Sequence, residues 1–200
     1  MVDQHTDWAE LAASYQRRLS SAPLRALARQ LGVTLDSLRA LDVGWSEADG
    51  AFTFPERDAS GNVIGILRRF RSGRKMVMGG GRRGLYLPRD WQDGEGVVHV
   101  PEGASDVAAL LSAGLRAVGR PSCTGGKQLL AELFAATDDD ILIVGENDRK
   151  EDGRWPGRDG ARAVAAALAR ELGGRVRWTL PPNGYKDIRA YLTREGTHAE

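Results

Sequence analysis

From Val97 onward, short apolar runs alternate with longer segments whose apolar residues recur at helical spacing. VVHV, RAVG, ILIV and VRWTL are the short runs. After Ser105, Val107, Ala108, Leu110 and Leu111 line one helical stripe that Gly114 stops. Lys127 to Ala136 reads as a second helix. Ala161, Val164, Ala165, Leu168, Ala169 and Leu172 mark a third, ending at Gly173-Gly174. Strand and helix alternating at this spacing require right-handed crossovers, which predicts a four-stranded parallel sheet with helices on its faces. In such sheets ligands bind beyond the carboxyl ends of the strands.

The acids fall at that edge. Glu102 follows the first strand, Glu146 and Asp148 follow the third in ILIVGENDRK, and Asp187 follows the fourth. Asp106 lies four residues after Glu102, in the first turn of the first helix. The spacing brings at least four of the five together, with Asn147 turned back towards the fold so that Glu146 and Asp148 share a side. Carboxylates held that close raise one another's pKa unless a cation compensates. An all-oxygen donor set without histidine or cysteine favours Mg²⁺ or Mn²⁺, ions that bridge to substrate phosphates and serve phosphoryl transfer. The simpler roles are a helix N-terminus for Glu102 and Asp106, and a helix cap for Asp187. Arg149, Lys150 and Lys186, beside these acids, are expected to meet phosphates.

Two further segments precede the alternation. From Trp8 to Leu41, Leu24, Leu27, Ala28 and Leu31 have helical spacing, Gly32 stops that helix, and Thr34 caps another carrying Leu35, Leu38 and Leu41. Two short helices joined at a glycine also resemble a helix-turn-helix, a form that small bundles share. Between Trp45 and Pro88 the pattern turns to strands: AFTF, NVIGILRRF after an Ala59-Ser60-Gly61-Asn62 turn, then RKMVM and GLYLP. The divisions expected are 1–45 helical, 46–92 β-rich and basic, and 93–196 α/β.

Formal charge over the 200 residues is only +1, yet Arg57 to Arg89 carries nine cations against one acid, Asp58. That local excess suits a polyanion. One cysteine, Cys123, excludes a disulfide framework or cysteine-based zinc site within one chain. His5, His99 and His198 are too scattered for a metal site or a catalytic triad. No apolar run spans a bilayer and the amino terminus lacks a signal-peptide core, so a cytoplasmic protein without membrane contact is expected. GRPSCTGGKQ lacks the first glycine and the Ser/Thr of a P-loop, and reads as a glycine-rich loop.

PEGASDVAALLSAG resembles the first motif of the TOPRIM domain, a strand followed by Glu-Gly and then an Asp four residues after the Glu. ILIVGENDRK is similar to its second, and KDIRAYL to the segment that supplies a further acid in primases. Upstream, FPERDASGNVIGILRRF and GRKMVMGGGRRGLYLP resemble the basic subdomain before TOPRIM in DnaG-type bacterial and phage primases. The resemblance implies a Rossmann-like TOPRIM sheet preceded by a small helical segment and a basic β-rich subdomain. It also implies synthesis of short primers on single-stranded DNA from nucleoside triphosphates, with Mg²⁺ or Mn²⁺ on Glu102, Asp106, Glu146, Asp148 and Asp187. Glu102, Glu146 and Asp148 would carry catalysis, with Glu102 as a metal-linked acid/base. Arg68 or Arg69 and Lys75 would meet template and nucleotide, with Arg82 and Arg83 extending the basic surface.

The chain departs from that family in three places. Glu146 stands where Asp is usual, EDGRWPGRDG intervenes before the next helix, and Arg189 occupies a position often acidic in primases. Separate helicase or zinc-binding proteins are the partners expected. The competing readings are a metal-dependent TOPRIM nuclease resembling the OLD family, and a non-catalytic nucleic-acid-binding accessory of a phage or plasmid. A topoisomerase is disfavoured, because Tyr15, Tyr86, Tyr185 and Tyr191 all lie in or beside one compact unit.

Overall fold

The computed structural model describes residues 6–195, so His5, His198 and residue 196 of the expected α/β division lie outside the described residues. Three helices open the chain: α1 (Trp8–Arg18), α2 (Ser21–Leu31) and α3 (Leu35–Ala40). Gly32 ends α2 in the left-handed conformation with φ 68°, and the Thr34 hydroxyl accepts from the Ser37 amide to cap α3. The glycine at that helix end relieves the steric cost a Cβ would bring. Leu24, Leu27, Leu31 and Leu38 are buried, so the faces that define this helix pair are spent on packing.

An antiparallel sheet follows, β1 (Gly44–Ser46), β2 (Ala51–Arg57), β3 (Val63–Phe70) and β4 (Lys75–Val77), in that spatial order. β1 straddles the boundary expected between the helical and the β-rich segments. GLYLP is not a strand. It touches β2 only through the Arg57–Leu85 bridge and pairs on through a second isolated bridge, Tyr86–Gly119.

The second sheet is parallel: β5 (Val98–Val100), β6 (Ile141–Val144) and β7 (Val176–Thr179), in chain order. It has three strands, not the four expected. RAVG runs beside β5, but only isolated bridges form, His99–Ala117 and Glu102–Arg120. The physical reason is a missing donor. Between the two bridges stands Pro101, which has no amide to donate to RAVG, while Gly119 spends both of its backbone groups on Tyr86. Helices α4 (Ala104–Ser112), α5 (Lys127–Ala135), α6 (Pro156–Leu172) and α7 (Ile188–Glu195) complete the unit. The loop expected to run to Gly160 stops sooner, because Pro156 occupies the first helical turn, where its missing amide is no loss.

One apolar cluster joins Leu27 and Leu38 of the first helices to Phe52, Phe54 and Leu67 of the antiparallel sheet and to Val107 and Leu110 of α4. A second packs Val98, Val100, Ile141 and Ile143 against Leu130 and Phe134 of α5 and Val164 and Leu168 of α6. The first cluster therefore crosses all three sequence divisions and holds the antiparallel sheet against the edge of the parallel one. None of the described helices is long and apolar enough to cross a membrane.

Candidate active site

Each parallel strand delivers an acid to the same end. β5 runs through Pro101 to Glu102, and Gly103, at φ 81°, turns the chain into α4 with Asp106 in its first turn. β6 runs through Gly145 to Glu146 and Asp148, and β7 leads to Asp187. Asn147 points inward, donating through Nδ2 to the carbonyls of Pro181 and Tyr185 at 3.0 and 2.9 Å. Its own amide donates to Lys186 O at 2.7 Å, which ties the ends of β6 and β7 together.

Glu102, Asp106, Glu146 and Asp187 form one electrostatic group. Asp106 is 5% exposed, and its carboxyl is pushed up to about 7, first by burial and next by the charge of Asp187. Glu146 also lies above its ordinary value, by burial and then by Glu102, with Lys186 opposing. Asp148 stands beside Glu146 but is engaged elsewhere. Its Oδ1 accepts from the Gly157 amide at the start of α6 at 2.8 Å, and Lys150 Nζ lies 3.5 Å from its Oδ2. Asp187 also caps α7, its Oδ1 accepting from Ala190 N at 2.7 Å. Among the described residues, no three acidic, histidine or cysteine side chains stand close enough to hold one ion by themselves.

The cations divide into two classes. Arg68 pairs with Asp49 at 2.6 Å, Arg57 and Arg89 both pair with Asp42, and Arg83 pairs with buried Glu56 at 2.8 Å. Four of the nine arginine and lysine side chains counted from Arg57 to Arg89 are thus bound to acids that lie outside that stretch. Arg71 lies over the Trp45 ring and Arg74 over Phe70. Arg82, Arg149 and Lys186 are exposed. Arg69 and Lys75 are partners in the register of β3 and β4, and Lys75 lies within electrostatic reach of Asp106, Glu146 and Glu102. Lys75 is open to solvent on one side. Burial and Arg69 lower its pKa, while Asp106, Glu146 and Glu102 oppose them.

One residue at the centre carried no sequence signal for function. Arg120 is 0% exposed, and its guanidinium donates to Ser122 O at 2.7 Å and Val144 O at 3.0 Å. Glu102 Oε2 lies 3.7 Å from it. The available clue was an arginine immediately after an apolar strand and before a proline, where burial demands partners for every donor. Gly157 was also missed. A Cβ there would lie 2.8 Å from Glu146 Cβ and 2.9 Å from Asp148 Oδ1.

No protein-family model matches the sequence, and no curated protein matches it significantly. Solved structures are similar in fold. A DnaG primase catalytic domain bound to single-stranded DNA superposes with a TM-score of 0.71 at 19% identity, over 96% of this chain and 74% of that one. The E. coli primase catalytic core gives 0.71 and 20%, over 96% and 76%. The Aquifex aeolicus primase, with its zinc-binding and RNA polymerase domains, gives 0.72 and 16%, over 96% and 58%. The chain is thus a mixed α/β protein with the fold of the DnaG primase catalytic core.

Proposed function

We propose that this chain is a primase-like nucleotidyltransferase that joins nucleoside triphosphates into short primers on a single-stranded DNA template. One observation carries the reading: acids from three parallel strand ends lie within electrostatic reach of one another and of Lys75 on the antiparallel sheet. Acids and unpaired cations side by side suit a metal-bound polyphosphate better than they suit stability alone. The likeness to a DnaG catalytic domain bound to single-stranded DNA supports the template assignment.

The donor set fits a divalent ion. Carboxylates raised by burial and by one another are only partly offset by cations, Glu146 by Lys186 and Asp106 by Arg189, and every donor is oxygen. No three of these side chains stand close enough to hold an ion by themselves, so Glu102, Asp106, Glu146 and Asp187 would hold Mg²⁺ or Mn²⁺ together with bridging water and substrate oxygens. When bound, the ion neutralises charge on the triphosphate. Arg120 keeps Glu102 at the strand end, where its carboxylate can accept the proton of an attacking hydroxyl. Arg69 and Lys75 orient phosphates of the nucleotide and of the adjoining template strand from the antiparallel sheet. Arg149, Lys150 and Lys186 line the outer side for the strand. A separate helicase or zinc-binding protein would supply unwinding and start-site selection.

The test is incubation with single-stranded template, labelled nucleotides and Mg²⁺ or Mn²⁺, scored for short products and for template cleavage. Extension products abolished by Glu102→Gln and by Asp148→Asn support primer synthesis. Cleavage abolished by the same substitutions makes the protein a nuclease instead. DNA binding without either reaction would leave an accessory role.

A further inference from the structure

We infer that Asn147 is a positioning residue whose side chain sets where Asp187, the acid that follows β7, stands among the carboxylates that would hold the ion. The role rests on the divalent-ion reading of those carboxylates. It goes beyond that reading because Asn147 points away from them, into the loop that carries Asp187.

That loop has little of its own to fix it. Between β7 and α7 the chain reads LPPNGYKD, and Pro181 and Pro182 bring no amide hydrogen to it. Pro182, Asn183 and Gly184 are exposed, so packing does not define the bend either. Its internal bond, Tyr185 N donating to Pro182 O, is 3.2 Å long.

Asn147 supplies what is missing. Its Nδ2 donates to Pro181 O at 3.0 Å and to Tyr185 O at 2.9 Å, the two carbonyls that bracket the exposed tip. Both protons of the side-chain amide are thereby used. Its backbone amide donates to Lys186 O at 2.7 Å, one residue before Asp187. Three carbonyls of one loop therefore accept from a single residue.

The far end of the loop is anchored separately. Asp187 Oδ1 accepts from Ala190 N at 2.7 Å, and the Arg189 amide donates to Asp106 Oδ1 at 3.0 Å. Asp187 thus stands between a tie to β6, made by Asn147, and a tie to α4, made by Asp106. Its charge is felt at acids of both other strands, since it raises the pKa of Asp106 and of Glu146. A shift of the loop would change both couplings at once. Glu146 has its own support, because Gly145 N donates to Thr179 O and Asn147 N to Lys186 O whatever side chain residue 147 carries. The side chain therefore acts on Asp187 and not on its sequence neighbours.

The experiment is a double-mutant cycle on the 200-residue chain, read by spin-resonance titration of Mn²⁺ without nucleotide or template. Asn147→Leu keeps most of the volume and loses both donors. It should weaken Mn²⁺ binding roughly tenfold, the scale for removing a partner that orients a metal ligand. Asn147→Ser, which keeps one donor on a shorter arm, should fall between Leu and wild type. In an Asp187→Asn background, Asn147→Leu should cost no further affinity. Hydrogen exchange on the metal-free protein gives a reading without an ion: the Ala190 amide, bonded to Asp187, should exchange faster in Asn147→Leu. Thermal melts establish that each variant is folded. Equal losses of Mn²⁺ affinity in both backgrounds overturn the role, as does a lower melting temperature with unchanged affinity. Unchanged exchange at Ala190 also overturns it. Wild-type protein that binds no Mn²⁺ overturns this role together with the divalent-ion reading. A cycle that follows the expected pattern while no primers are made keeps the role and refutes the proposed reaction.

Discussion

Arg120, fully buried, donates through Nη2 to the carbonyl oxygen of Val144 at 3.0 Å, tying the residue after RAVG to the last residue of β6. The same guanidinium reaches Ser122 O and stands 3.7 Å from Glu102. It therefore joins the chain segments carrying Glu102 and Glu146, and removing it leaves buried carbonyls without donors. Arg120→Met is expected to lower stability by about 3 kcal/mol, read by chemical denaturation. Arg120→Lys keeps the charge but cannot span both carbonyls, and should recover less than half of that loss. A neutral effect of the Met variant would show that these hydrogen bonds contribute little.

Gly157 meets the second pair of acids. A methyl group there would sit 2.8 Å from Glu146 Cβ, 2.9 Å from Asp148 Oδ1 and 3.0 Å from Glu146 O. Two of the three neighbours belong to Glu146, so the strand end must move and not merely a flexible tip. Gly157→Ala should cost about 1–2 kcal/mol in stability, the range for overpacking. Affinity for Mn²⁺ should fall at least about tenfold as the carboxylates are displaced. Unchanged Mn²⁺ affinity in a folded variant would separate this glycine from the site.

The parallel sheet was legible because its signal is local: ILIV and VRWTL are apolar runs, and the intervening stripes have helical spacing. The shortfall in strand number was not, because RAVG meets β5 only at Ala117 and Arg120 and turns Gly119 to Tyr86, a pairing made only in three dimensions. Charge was misleading for a related reason. Asp42, Asp49 and Glu56 lie outside the stretch from Arg57 to Arg89, yet they bind its arginines across separations of 15, 19 and 27 residues. Asn147 was read correctly, since a polar residue between two outward acids has to point the other way on an extended segment. Arg120 was unreadable because nothing in its flanks announces which carbonyls it will meet.

Asp106 gives the site a pH dependence with a definite sign. Its pKa rises from an ordinary 3.8 to about 7 on folding, so the folded state binds the proton more tightly than the unfolded chain. Its contribution to stability is fully present below the lower value and is lost as pH rises through the higher one. A divalent ion relieves that loss by compensating the charge. The rise in melting temperature on adding Mg²⁺ should therefore grow between about pH 6 and pH 8. In Asp106→Asn the metal-free protein should lose this part of its pH dependence and melt higher than wild type at pH 8. A Mg²⁺ effect independent of pH would contradict this account.

Arg69 and Lys75 should separate from Arg68 and Arg83 in the salt dependence of single-strand binding. Paired arginines have little charge to offer a phosphate, whereas unpaired ones release counterions on binding. Removing one cation that meets a single-strand phosphate should flatten the slope of log K against log salt by about 0.7. Arg69→Ala with Lys75→Ala is expected to flatten it measurably. Arg83→Ala should leave the slope near wild type and instead lower stability by about 2–3 kcal/mol, because Glu56 is 0% exposed and loses its cation. Equal slopes in both variants would place the strand elsewhere.

Glu146 tests whether the longer acid is built into the site. Its backbone is held on both sides, by Gly145 N donating to Thr179 O at 2.9 Å and Asn147 N donating to Lys186 O at 2.7 Å. With the main chain fixed, Glu146→Asp withdraws the carboxylate by about 1.5 Å, one carbon–carbon bond. Gly157 leaves room against the Glu146 Cβ, and Glu102 and Asp187 lie within electrostatic reach of its carboxylate. The withdrawn Asp should be further from those partners. Mn²⁺ affinity is expected to drop roughly tenfold, with little change in stability, because relief of like-charge crowding offsets the poorer packing of the shorter side chain. Spin-resonance titration of Mn²⁺ reads the first quantity and thermal melting the second. Tighter Mn²⁺ binding by the Asp variant would mean that the surrounding acids are spaced for the shorter side chain, and that Glu146 holds the ion off its best position.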